Sequence, residues 1–179
     1  SPDGFEALIA RHPRVMLNLM RILVRRLHDT TRSSKDGARP KTFAVVPLQE
    51  GLDHEPIAHR LAASLVEMGS KAAVLDASAG EQSAEWFNTF EAAHDIVFYR
   101  GDAPGTAWTN TCLRQADRIF LLARADRPLP EKFLAMAKER VSGLPELLLL
   151  HPAGAGGVVP EHFALKSGLF ESHHHLRAG

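Results

Sequence analysis

Two aspartates and a glycine-rich loop are the residues of this chain whose types suit a phosphate-bearing ligand. Asp76 ends an apolar run, where a carboxylate could take a ribose hydroxyl or a metal-bound water. Asp53 lies in the turn after an earlier run, and Gly154-Ala155-Gly156-Gly157 could offer backbone N–H groups to an anion. Asp53, Asp76, Gly154, Gly156 and Gly157 therefore outline an unorthodox nucleotide pocket. The turn holding Asp53 speaks against it. A strand–turn–helix that hydrolyses nucleotides wraps the phosphates with G-x-x-x-x-G-K-[ST] and seats magnesium there. Here the turn reads Gln49-Glu50-Gly51-Leu52-Asp53-His54-Glu55, with one glycine, no lysine and three carboxylates. Such a turn repels the anion that a glycine-lysine turn attracts. Asp76 then reads as a capping or turn aspartate, and the glycine loop as ordinary surface with no basic side chain nearby to complete a cradle.

Other chemistry is weaker still. Ser172-His173-His174-His175 has the composition of a metal tract. On a strand, His173 and His175 face one way and His174 the other, so the three cannot converge on one ion. Two imidazoles without a nearby carboxylate or thiolate make a poor zinc site, and an edge strand or linker is the expected role. No serine stands in G-x-S-x-G, and Cys112 falls mid-helix with no histidine at helical reach. Trp108 and Cys112, four apart, are expected to share a packed helix face, and Asp117 to start a strand. No catalytic, metal-ligating or cofactor-holding residue is assigned.

The elements that position these residues are legible. Short apolar runs at Phe43–Leu48, Ala72–Leu75, Ile96–Tyr99, Ile119–Ala123 and Leu147–Leu150 predict buried strands. Helices are expected between them, over about 56–68, 83–92, 105–115 and 130–141, and Gly69 is placed to stop the first. Helical crossovers force parallel strands. The expected fold is doubly wound α/β, a mainly parallel sheet of five to six strands in three layers, Rossmann-like or degenerate phosphate-loop-like.

An N-terminal helical segment precedes this domain. Pro13 should end one helix and open the next. Met16, Leu19, Met20, Leu23 and Leu27 then line one face, while Arg14, Arg21, Arg25 and Arg26 lie largely elsewhere. The arginines read as a solvated face. The apolar stripe needs a partner: the sheet domain, a missing domain or a second copy of itself. The expected division is terminal helices over 1–34, a linker over 35–41 and the α/β domain over 42–179.

Composition sets the outer bounds. A 45% hydrophobic and 23% charged chain is ordinary for a globular protein, and a formal net charge of zero gives no global field toward nucleic acid or an acidic membrane. No run approaches about 20 apolar residues, the length of a membrane helix. The single cysteine excludes an internal disulfide and suits a reducing, cytoplasmic setting. Beginning at Ser1-Pro2-Asp3, the chain reads as a piece of something longer.

The string Trp108-Thr109-Asn110-Thr111-Cys112-Leu113-Arg114-Gln115-Ala116-Asp117, between Ile96-Val97-Phe98-Tyr99 and Ile119-Phe120-Leu121-Leu122, resembles the neuropathy-target-esterase family of patatin-like phospholipases, just upstream of their catalytic domain. His174-His175-Leu176-Arg177 is similar to the lead-in to that domain. Ala10-Arg11-His12-Pro13 and Leu23-Val24-Arg25-Arg26-Leu27 resemble the last helices of a cyclic-nucleotide-binding domain. The resemblance implies a modular parent of lipid metabolism, a serine esterase or lysophospholipase peripheral to a membrane. This chain would be its non-catalytic regulatory or scaffolding part, partnered by the patatin domain and the cyclic-nucleotide-binding module. The patatin serine, its glycine-rich oxyanion loop and a cyclic-nucleotide β-roll are not found in the sequence. Two alternatives stay open: a nucleotide switch using the pocket above, and a homodimerisation module built on the N-terminal helix.

Overall fold

The computed structural model describes residues 40–52, 54–130, 145–151, 170 and 172–177. The expected helices within 1–34, most of the linker, the helix over 130–141, Asp53 and the Gly154–Gly157 loop lie outside the described residues. Six strands form one parallel sheet: β1 (Thr42–Pro47), β2 (Ala72–Leu75), β3 (Ile96–Arg100), β4 (Arg118–Arg124), β5 (Glu146–His151) and β6 (Ser172–Arg177). Their order across the sheet is β2-β3-β1-β4-β5-β6. Between them run α1 (Glu55–Glu67), α2 (Ala84–Ala93) and α3 (Ala107–Gln115). This is the doubly wound α/β fold that the alternating runs predict.

The strands β1 to β5 carry near-continuous apolar runs because both faces are covered, whereas β6 at the edge is polar. Phe43, Val45, Phe98, Phe120, Leu122, Leu148 and Leu150 share one face with Ile57, Leu61 and Leu65 of α1. Ala44, Val46, Val97, Tyr99, Leu121, Leu147 and Leu149 share the other with Phe87 of α2 and Trp108, Cys112 and Leu113 of α3. The shared helix face expected for Trp108 and Cys112 is thus present. Pro47 is tolerated in a central strand for a local reason. By the pleat, its missing N–H would point toward β3, where pairing has ended: β1 and β3 are in register only to Val45 and Arg100.

Caps set the helix ends. Ser70 N–H bonds Leu65 O at 3.0 Å and Gly69 N–H bonds Val66 O at 2.9 Å, with Gly69 at φ 88°. This Schellman closure ends α1 where the glycine predicts. α3 starts two residues later than its apolar pattern suggests. Gly105 takes φ 85°, and the Thr106 hydroxyl accepts from Thr109 N–H at 3.1 Å, which fixes the cap at 106.

Of the two roles expected for the histidine tract, edge strand or linker, β6 is the edge strand, with His173 and His175 on the face opposite His174. A carboxylate does lie nearby, however, contrary to the sequence reading. His174 Nε2 is 3.0 Å from Glu146 Oε2, because register pairs Glu146 with Ser172. That proximity depends on strands 26 residues apart in sequence and leaves no local signal.

Candidate functional site at the carboxyl edge of the sheet

Parallel strands put all their carboxyl ends on one edge, where open α/β sheets bind ligands. The chain leaves β1 for β2 on one side and later reaches β4 on the other, so the crevice beside β1 is the place to look. The turn after β1 fills it. Gln49 is buried and its amide spans the turn and β4. Its Oε1 accepts from Arg124 N–H at 2.8 Å, and its Nε2 donates to Pro128 O at 3.2 Å. His54 is buried too, between two carbonyl oxygens. Nδ1 lies 3.1 Å from Leu52 O, and Nε2 is within hydrogen-bonding distance of Gly101 O at the end of β3.

The turn therefore closes on the sheet with its own side chains, where a phosphate loop turns its N–H groups toward a ligand. The sequence suggests a turn lined by carboxylates, but Glu50 and Glu55 are exposed, and among the described residues of the turn the buried polar groups are Gln49 and His54. Gly101 is needed for a different contact, the packing of this strand end against β1 and α3. A Cβ there would stand 3.0 Å from Val46 Cγ2 and 3.1 Å from Thr109 Oγ1.

Arg100 and Arg124, at the ends of β3 and β4, pair with carboxylates on this same edge. Asp76 follows β2 and caps the short 3₁₀ turn Ala77–Ala79, accepting from Ser78 N–H at 3.0 Å and Ser78 Oγ at 2.6 Å. It also accepts from Arg100 Nη2 at 3.2 Å. The two Ser78 bonds first, and Arg100 after them, hold its carboxyl below the usual carboxylate range. Asp76 is thus the capping aspartate of the plainer reading. Arg100 lies mostly buried at the end of β3, with Glu55 3.9 Å away. Arg124 at the end of β4 makes a two-pronged pair with Asp126, at 2.9 and 2.6 Å. A nucleotide hydrolase of this layout uses an aspartate to hold magnesium and a lysine to hold phosphate. The strand end beside this turn carries Arg100, and the first turn of the helix carries Glu55. The signs are reversed and already neutralised. Of the five residues proposed as a pocket, only Asp76 is described.

Two other groups resemble catalytic machinery. Ser172 Oγ lies 3.1 Å from His174 Nε2, and Glu146 Oε2 is 3.0 Å from the same nitrogen. A relay needs the serine and the acid on opposite ring nitrogens. Here both meet one, so the cluster clamps β6 to β5 and activates nothing. Among the described residues no group of three or more histidine, cysteine, aspartate or glutamate side chains could hold a metal, and no helix is long and apolar enough to cross a membrane.

Cys112 is fully buried, and burial, with the Asp102 charge second, pushes its thiol up. A thiol kept neutral and covered is a poor nucleophile. Ellman's reagent should therefore leave it unmodified in the folded chain, at least about a hundredfold slower than after denaturation. Rapid reaction of the native protein would contradict this packing.

Arg100, Gln49, His54 and Glu146 shape these sites, and sequence reasoning missed them. The one available cue was a buried-looking turn whose ends carry neutral polar residues, Gln49 and His54, where glycine and lysine are needed.

Comparison with known proteins agrees with this altered architecture. Residues 39–179 match the Neuropathy Target Esterase family P-loop like domain. The chain is 33% identical over 156 residues to a patatin-like phospholipase domain-containing protein of Caenorhabditis elegans, covering 76% of this chain and 12% of that protein. It is 32% identical over 158 residues to the lysophospholipase NTE1 of Kluyveromyces lactis, covering 76% and 11%. To the lysophospholipase NTE1 of Mycosarcoma maydis it is 27% identical over 183 residues, covering 83% and 10%. The chain thus spans about a tenth of the length of these relatives. A parallel sheet in phosphate-loop order whose loop is closed by its own glutamine and histidine belongs to the P-loop-like domain of the Neuropathy Target Esterase family.

Proposed function

We propose that this domain is a non-catalytic regulatory or scaffolding module of a patatin-like lysophospholipase, and that it works by protein contact. The carrying observation is the turn after β1, sealed by Gln49 and His54 beside an Arg100 already paired with Asp76. Among the described residues of the turn, Gln49 and His54 occupy the place where a phosphate loop carries its lysine and ligand-facing N–H groups. The catalytic serine and acid belong to a patatin domain elsewhere in the parent, and cyclic-nucleotide-binding modules supply the input. The module serves from the cytoplasm, and membrane contact comes through the parent.

Two measurements test this. In a parent carrying this domain, deletion of residues 41–177 should change the esterase rate several-fold, and an unchanged rate removes the regulatory role. In the isolated chain, ATP, GTP, cyclic AMP and cyclic GMP, with or without magnesium, should leave the melting temperature within about 1 °C. Ligand at a hundred times its dissociation constant stabilises by about 2.7 kcal/mol, or roughly 5–10 °C at this size. Such a rise with a nucleoside triphosphate establishes the switch reading instead.

A further inference from the structure

One half of the α1 face is buried without a described element to bury it. Phe120, Leu122, Leu148 and Leu150 point from β4 and β5 into this face at 2%, 0%, 0% and 4% exposure. α1 packs on β2 and β3. From β3 to β5 is three strand spacings, about 14 Å, while a helix with its side chains is about 10–12 Å across. α1 therefore does not reach β5.

The β4–β5 and β5–β6 connections are excluded by handedness. A crossover between parallel strands is right-handed in about 98% of cases. β1 to β2 runs one way across the sheet and every later step runs the other way, so right-handed crossovers favour one face for α1 and the opposite one for every later connection. α2 and α3 obey this. So do Leu129, early in the β4–β5 connection, and Phe170, late in the β5–β6 connection, which both pack on the α2–α3 face.

The long stretch left over is the one before β1. We propose that residues 14–27 dock as an amphipathic helix over the β4–β5 half of the α1 face, with Met16, Leu19, Met20, Leu23 and Leu27 against Phe120, Leu122, Leu148 and Leu150. The dimensions match. The stripe from 16 to 27 is about 17 Å long at about 1.5 Å per residue, and a six-residue strand is about 20 Å. The residues between 27 and 42 reach at most about 50 Å, ample for a return to β1. The docked helix leaves its arginines toward solvent. It fastens the N-terminal segment to the sheet in the same chain, so a displacement of that segment strips cover from β4 and β5. The inference stands independently of the lysophospholipase reading, because it concerns packing within this chain alone.

The test places a photo-crosslinking benzoylphenylalanine at Leu19 of the full chain, followed by irradiation and peptide mapping. Crosslinks within one chain into 118–124 or 146–151 are expected. Crosslinks between two chains, crosslinks into α2 or α3, or none at all overturn the proposal. Independently, L19D with L23D should lower the melting temperature by about 5 °C or more and raise binding of a hydrophobic dye, while R21D should do neither. A melting temperature and dye signal unchanged in the leucine variant also overturn it.

Discussion

Trp108→Ala should destabilise the domain by about 4 kcal/mol, lowering the melting temperature by roughly 8–16 °C for a chain of this size. Two losses combine. The indole is 6% exposed and lies against Phe87 and Tyr99, with ring centroids 6.4 and 6.1 Å away, so its removal leaves a large cavity between α3 and the sheet. Its Nε1–H also donates to Arg100 O at 2.8 Å, tying α3 to the strand end that holds the Asp76 pair. Trp108→Phe separates the two, since it keeps the ring and drops the bond; it should cost about 1–2 kcal/mol. Thermal denaturation checks both. A Trp108→Ala protein that melts within 2 °C of the parent chain would mean that α3 is not packed as described.

His54→Ala is the second large effect, about 2–4 kcal/mol, seen as a melting temperature lower by roughly 5–12 °C. The imidazole stands between Leu52 O and Gly101 O in a buried position; its one N–H donates to one of them, and alanine removes that bond together with the packing of the ring against the turn. His54→Gln should recover part of the loss, because an amide donates to at least one of them. Chemical denaturation measures the difference directly. Equal stabilities for His54→Ala and the unaltered chain would show that the turn is not held by this residue.

Much of the fold was readable because it depends on local pattern. Ala72–Leu75 is matched without error, and β1, β3, β4 and β5 differ by a residue or so at an end, since a strand buried on both faces announces itself as an unbroken apolar run, a signal that the polar β6 lacks. Gly69 and the capping role of Asp76 were readable for the same reason, since both act on atoms within four residues; the Asp76–Arg100 pair, 24 residues apart, was not. The site was not readable in that way. Gln49 acts on Arg124 and Pro128, and His54 acts on Gly101; these contacts exist only once β3 and β4 flank β1. Asp117 makes the point most clearly. It stands directly before β4, as expected, but its Oδ2 accepts from Lys41 N–H at 2.8 Å and Thr42 N–H at 3.0 Å, fastening the beginning of β1. Charge counting in the turn misled for a related reason, because carboxylates in a short turn are free to face water.

The placement of β1 at the middle of the sheet also sets a timetable. It is the first described strand to be made, yet its register with β4 joins Phe43 to Arg118, 75 residues later. At about 5–20 residues per second, the ribosome releases β1 some 4–15 s before that neighbour exists. Until β3 emerges Thr42–Pro47 is an unpaired apolar strand, and until β4 emerges one of its edges stays open to the wrong partner. Synthesis order, as much as final packing, therefore decides how much of this protein reaches its native state.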